Sequence, residues 1–262
     1  MSLVQIERLD DIAIVRLDRP DKRNALSFAL LRELVAAAQQ LRRDRSVRVA
    51  ILHGAGECFS SGIDLQDLND RRNRWFALWS LLKPGMNLFQ RACLIWKDLP
   101  VPVIAAIHGH CYGAGMQLAL GADVRIVAPD AKLSIMEARW GLVPDMGLSR
   151  SLRGVLRADV AKELVMTARI LDAHEAVALG LVTRVADDAL QEALQLAHEI
   201  ATRSPDAVLA AKRVLDAMNH AVTTGLRAEK RWQLRLMRGR NFAIARRRAK
   251  SPEEPFAPRQ YR

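Results

Sequence analysis

VPVIAAIHGHCYGAGMQLAL, residues 101–120, holds a strand, a tight turn and the start of a helix in one stretch. Val101 to Ile107 is a short apolar run rich in β-branched residues, which reads as a buried strand. It stops at His108 and Gly109, well short of the roughly 18 apolar residues that a membrane span needs. Gly109 to Gly115 supplies the small residues of a tight turn, and Met116 to Leu120 opens a helix. Strand, turn and helix start in this order are the working unit of an α/β protein.

On either side the alternation repeats. Ile12 to Leu17 reads as strand, Ser27 to Leu41 as helix and Val47 to Leu52 as strand. In that helix Phe28, Leu31, Leu34, Val35, Ala38 and Leu41 recur three and four apart, Arg32, Glu33, Gln39 and Gln40 fall on the other faces, and Ser27 is placed to cap it. Asp123 to Val127 is a further short segment, and Leu181 to Val185 reads as the last strand, with Gly180 ending the helix before it. From Asp188 onward the pattern is helical. The boundary falls near residue 200, around Ser204-Pro205, dividing a core domain (1–200) from a helical C-terminal region (201–262). The tail, Ser251 to Pro255 and Pro258, reads as an extended arm.

The 262-residue chain carries a formal net charge of +11, with much of the excess in Arg227 to Arg240 and in Arg246, Arg247, Arg248 and Lys250. Such runs are commonly solvated helical surface; the sharper alternative is a patch facing phosphate groups. No RNA-binding motif accompanies the charge, so nucleic acid is a disfavoured partner. Cys58, Cys93 and Cys111 are odd in number and lack C-x-x-C spacing, which points to reduced thiols in a cytoplasmic setting. No basic leader with an apolar block stands at the start, so no secretory route or membrane attachment is expected. His53, His108 and His110 lie beside glycines without matched carboxylate spacing, and no metal site is expected.

Four segments carry groups suited to chemistry. RPDKRNAL, residues 19–26, is a basic turn before a helix, able to meet phosphate groups or simply to be solvated. GAGECFSSGIDL, residues 54–65, follows a strand and places backbone amides around Gly62 where a cleft would open. Gly113-Ala114-Gly115 sets free amides and the helix dipole at a helix start, both favouring negative charge, although tight packing explains most such glycines. Two amides from separate loops would make an oxyanion hole. MEARWGLVPDMG, residues 136–147, sets Glu137 and Asp145 among apolar neighbours, where burial raises a carboxylate's proton affinity; a surface charge or helix cap is the plain alternative. Trp75, Phe76, Trp79 and Phe89 either line an apolar pocket or form a packing stripe.

Taken together, RPDKRNAL, SSGIDL, PVIAAIHG followed by GAGMQL, and the E-x-x-x-G-L-V-P-D segment resemble the crotonase (enoyl-CoA hydratase/isomerase) superfamily over nearly the whole chain. The resemblance implies a spiral of ββα units with a C-terminal helical region that assembles trimers, and hence a homotrimer or hexamer. It also implies an acyl-CoA thioester substrate, with CoA part of the substrate and no separate cofactor. Carried over by position, Ile63 and Ala114 would supply the oxyanion-hole amides. Arg23, Ala25, Ser61, Gly62, Asp64, Leu65 and Gly113 would bind the rest of the substrate, and the tail from Arg247 to Lys250 would reach the CoA phosphates.

The chain also departs from that pattern. Hydratases of the superfamily pair two glutamates; Glu137 matches one, and Gln117 stands at the other, where an amide can hold water or substrate but exchanges no proton at neutral pH. Asp145, eight residues after Glu137 where hydratases usually have glycine, and the SGIDL loop resemble the dienoyl-CoA isomerase branch, which normally has aspartate at the position of Gln117. The residues therefore rank double-bond isomerisation by Glu137 with Asp145 above hydration of a 2-enoyl-CoA by Glu137. Other thioester enolate chemistry and a non-catalytic acyl-CoA binder stay open.

Overall fold

The computed structural model describes residues 2–82, 85–218, 238–248, 251 and 253–261; the basic run from Arg227 to Met237, and Lys250, lie outside the described residues. β1 (Val4–Leu9) pairs antiparallel with β2 (Ile12–Leu17), α1 (Phe28–Arg43) follows, and β3 (Val49–Gly54) lies parallel to β2. Helices α2 (Leu65–Asn69), α3 (Arg71–Leu82) and α4 (Leu88–Lys97) lead to β4 (Val103–Ile107), β5 (His110–Tyr112), α5 (Ala114–Ala119), β6 (Val124–Val127) and β7 (Lys132–Ser134). Next come α6 (Leu148–Ser151), α7 (Ala158–Thr167), β8 (Leu171–Asp172), α8 (Ala173–Ala178) and β9 (Arg184–Val185). The last described helices are α9 (Ala189–Ala201), α10 (Pro205–Met218) and α11 (Arg240–Arg247).

Two sheets result. The larger has the order β1-β2-β3-β4-β6-β9 and is parallel beyond the first hairpin; the smaller is β5-β7-β8. Parallel bridges Ser60 to Cys111 and Leu26 to Ile63 extend the smaller sheet. Each turn of chain thus contributes a strand to the large sheet, a short extended piece to the small one and then a helix, which is the expected ββα spiral. The small sheet's edge, from Leu26 to Tyr112, carries the loops of the site.

The central strands β3 and β4 of the large sheet are covered on both faces and read as continuous apolar runs, whereas the edge strand β1 alternates and is mostly exposed. Along β3, Ala50 and Leu52 join the main core with α1, whereas Val49 and Ile51 face the other way with Ile12, Ile104 and Ile126 against Ala189, Ala193 and Ala197 of α9. Ser27 caps α1 as expected, its Oγ accepting from the Leu30 amide at 3.2 Å. β4 starts at Val103 instead of Val101, since Pro102 has no N–H for the ladder, though its carbonyl still accepts from Ala50. The expected Leu181–Val185 strand pairs only over Arg184–Val185; Leu181 offers its carbonyl to the buried Arg125 guanidinium instead.

The C-terminal elements are tied to the core by buried polar contacts. Lys212 of α10 donates to Asp123 at 2.6 Å and to the Val101 carbonyl at 3.0 Å. The buried Asp206 carboxylate accepts from Asn241 of α11 at 2.7 Å and from the Gln260 amide at 2.8 Å, anchoring the tail. Cys58, Cys93 and Cys111 are buried and unbridged. No described helix is long and apolar enough to cross a membrane.

Candidate active site

A cavity of about 270 Å³ opens between the loop before α2, the start of α5 and residues 136–146. Ser61, Ile63, Leu65, Gly113, Ala114, Gln117, Glu137 and Asp145 all line it.

Two glycines with positive φ shape one end, Gly62 (104°) and Gly113 (48°), each immediately before an amide expected in the oxyanion hole. A Cβ on Gly62 would lie 3.0 Å from the Tyr112 carbonyl oxygen and 3.8 Å from the Ala114 nitrogen, so the two loops touch there. Backbone bonds between Ser60 and His110 (2.9 Å) and between Tyr112 and Ser60 (3.0 Å) lock them together. Ala114 is the first residue of α5, where the helix leaves amides without internal partners. Neither the Ile63 nor the Ala114 amide finds an acceptor among the described residues, and both residues line the cavity. Gly115 serves close packing, since a Cβ there would meet Ser60 at 2.8 Å.

The other wall carries the acids. Glu137 opens a 3-10 turn that runs to Trp140 and ends at Gly141 in the left-handed region. Its Oε1 accepts from Gln117 Nε2 at 2.6 Å, while its Oε2 is buried without a hydrogen-bond partner among the described residues. Burial pushes the Glu137 carboxyl above the ordinary carboxylate range, the Gln117 bond opposes this, and the nearby Asp145 charge adds to the rise. Asp145 is exposed on one side at the cavity mouth, and burial of the other raises its proton affinity as well. Gln117 is only 1% exposed, and its Oε1 accepts from the Met146 amide at 2.9 Å. Both polar ends of Gln117 are therefore engaged: one aims Glu137, the other holds the loop carrying Asp145.

Several expected residues sit elsewhere. Asp64 does not line the cavity; it caps α2 through the Gln66 and Asp67 amides and pairs with Arg19 at 2.5 Å. Burial raises its proton affinity, but Arg19 and those amides together outweigh this and hold the carboxyl below its ordinary range. Arg23 and Ala25 belong to the neighbouring turn, where Arg23 is exposed and its carbonyl accepts from the Ser61 amide at 2.9 Å. The Ala25 carbonyl accepts from Arg19 at 3.1 Å. Gly62 sits behind Ile63, packed against Tyr112 and Ala114. In the tail, Arg247 is spent on Glu254 at 2.7 Å and Arg248 lies over the Phe256 ring. Of the four aromatics, Phe89 lines the cavity, Phe76 and Phe89 pack edge-on against Phe28, and Trp75 and Trp79 are exposed.

Unanticipated lining comes from Met136, Trp140, Leu142, Val143 and Met146, with Trp140 60% and Val143 74% exposed at the rim. Their signal was the apolar run around the two acids, more than a solvated turn requires. His53 stacks on His108 at 4.8 Å, and burial together with that neighbour lowers its pKa to about 4, so it stays neutral. Among the described residues no group of three His, Cys, Asp or Glu side chains is arranged to hold a metal.

The family model described as enoyl-CoA hydratase/isomerase matches residues 7–244. The mitochondrial Delta(3,5)-Delta(2,4)-dienoyl-CoA isomerase of Mus musculus is 34% identical over 238 residues, covering 85% of this chain and 71% of that protein. The mitochondrial methylglutaconyl-CoA hydratase of Mus musculus is 33% identical, covering 83% of this chain and 70% of that protein. A crystal structure of enoyl-CoA hydratase from Bacillus anthracis superposes with a TM-score of 0.90 at 28% identity, covering 98% of this chain and all of that one. With the spiral fold, the paired glycine-led amides and the acid-bearing wall in place, the chain belongs to the enoyl-CoA hydratase/isomerase family and is an enzyme of the crotonase superfamily.

Proposed function

We propose that this enzyme moves a double bond in an unsaturated acyl-CoA thioester. The thioester carbonyl oxygen sits between the Ile63 and Ala114 amides, which stabilise the enolate formed when the adjacent carbon loses a proton. The unpartnered Glu137 Oε2 takes that proton. The electron pair shifts along the conjugated system, the double bond re-forms next to the thioester, and Asp145 in its acid form returns a proton to the far carbon. Protons and electrons balance within substrate and protein, and the step needs no cofactor.

The carrying observation is the engagement of Gln117 at both ends, 2.6 Å to Glu137 and 2.9 Å from Met146. Adding water asks for a second group that activates it; here the second acid of the cavity is Asp145, on an apolar rim suited to carbon-to-carbon proton transfer. A trimer or hexamer assembled through residues 201–262, and a cytoplasmic location consistent with three buried unbridged thiols, belong to the same proposal; light scattering on the purified protein tests the assembly.

The decisive test is turnover of 2-enoyl-, 3-enoyl- and 3,5-dienoyl-CoA with products analysed by mass and absorbance. Isomers of unchanged mass, lost with Glu137→Gln, are expected. A product heavier by one water would make the enzyme a hydratase, and tight binding without turnover would make it an acyl-CoA carrier.

A further inference from the structure

A second cavity, about 730 Å³, lies at the opposite end of α1 from the catalytic one. α1 begins beside the Leu26–Ile63 bridge and ends at this cleft 16 residues, or about 24 Å, later. Arg42 and Arg43 from the last turn of α1, Arg45 just beyond it, Arg213 of α10 and Arg259 of the tail line it, with Asp98 as their one carboxylate among the described lining.

Part of this charge has a structural explanation. Arg42 and Arg213 donate to the Asp98 carbonyl at 3.4 and 3.0 Å, completing the C-terminus of α4, where cations are favoured. Arg259 donates to the Tyr261 carbonyl at 2.8 Å. The Asp98 carboxylate is taken by Arg150, through bonds of 2.5 and 3.1 Å. Arg43 is favoured in the last turn of α1 by the helix dipole, but neither it nor Arg45 has an ion-pair or hydrogen-bond partner among the described residues.

We propose that this cleft binds the diphosphate group of a small organic molecule, at a site distinct from the catalytic cavity. Five arginines line this one concavity, and guanidinium forks match the oxygens of linked phosphates, which they grip in bidentate fashion. The volume is that of a small-molecule site. A second copy of this chain, itself at +11, offers no excess of acid to fill it. The inference is independent of which reaction the catalytic cavity performs.

The test is calorimetric titration of ADP into the full-length protein at low and raised salt. It compares wild type with Arg43→Glu/Arg45→Glu, with the charge-matched control Arg157→Glu/Lys162→Glu on the exposed surface near α7, and with Arg23→Glu beside the catalytic loops. Saturable binding at one site per chain is expected, weakened at least tenfold by the cleft pair and less than twofold by the other two. CoA weakened in parallel identifies the diphosphate of CoA as the occupant; ADP weakened alone identifies a free nucleotide. No saturable heat, equal weakening by both double variants, or loss following Arg23→Glu would each overturn the cleft. Duplex RNA binding more tightly than ADP, and lost with the cleft pair, would make it a nucleic-acid surface instead. Unfolding curves check the fold, and Arg43→Gln/Arg45→Gln repeats the comparison without reversing charge.

Discussion

The two walls of the catalytic cavity are built in opposite ways. The α5 wall is interior structure: Ala114 through Ala119 are all buried, and the one polar side chain among them, Gln117, is bonded at both ends. The wall formed by residues 136–147 is a 3-10 turn and an irregular loop, with Trp140, Leu142 and Val143 exposed and two carboxyls held at raised proton affinity. The contrast suits the work that the proposed reaction gives each wall. Stabilising an oxyanion needs dipoles fixed before the reaction begins, which a packed helix start supplies. Moving a proton needs a carboxyl partly withdrawn from water yet open to substrate, which a half-buried loop supplies.

If proton transfer resides in the loop wall, Glu137→Gln lowers kcat by about a thousandfold with little change in KM. Steady-state kinetics on the substrate turned over by wild type check this, and retention of most of the activity would place the chemistry elsewhere. Disturbing the rigid side through Gly62→Ala, where φ is 104° and the new Cβ would lie 3.0 Å from the Tyr112 carbonyl, costs about a hundredfold in kcat by displacing the Ile63 amide. An unchanged rate would remove Ile63 from the hole.

Gln117→Glu puts an acid at the interface between the walls, against Glu137 Oε1. Two carboxyls in contact cannot both ionise cheaply, so folded-state proton affinities rise above the unfolded ones. The variant then matches wild type below the unfolded carboxylate pKa and loses about 1–3 kcal/mol of stability as pH rises through the folded values. Thermal melts at pH 4 and pH 8 test the sign, and equal melting shifts at both would refute it. The smallest expected effect is on the pH profile. The acid limb of kcat/KM in wild type lies above the ordinary carboxylate range because Glu137 must be ionised, and the limb at higher pH, where Asp145 loses the proton it donates, is absent from Asp145→Asn. A higher-pH limb that persists in Asp145→Asn would take the donor's role from Asp145.

The chain's local signals carried far. The spacing of Leu31, Leu34, Ala38 and Leu41, with Ser27 as cap, describes α1 nearly to its ends, and residues of SSGIDL and the glycine block line the cavity, with RPDKRNAL in the neighbouring turn. Asp64 caps α2 and does not line the cavity, and the cap is legible from its place two and three residues before the amides it accepts; its partner Arg19 lies 45 residues away. Gln117 could be seen to lack a proton but not to be clamped, because its partners come from Glu137 and Met146, 20 and 29 residues on.

What the amino-acid order determined by itself is the α/β alternation, the turns that need glycine and the identity of the groups available for chemistry, because periodicity, capping and backbone freedom act between near neighbours. Folding in three dimensions set the surroundings of those groups: which acid is left with an unpaired oxygen, that the Gly62 and Ala114 loops meet, and that the apolar run at 136–146 forms a rim. Those properties depend on burial and on contacts between distant segments, and local sequence carries neither the dielectric around a carboxyl nor the orientation of a partner twenty residues away.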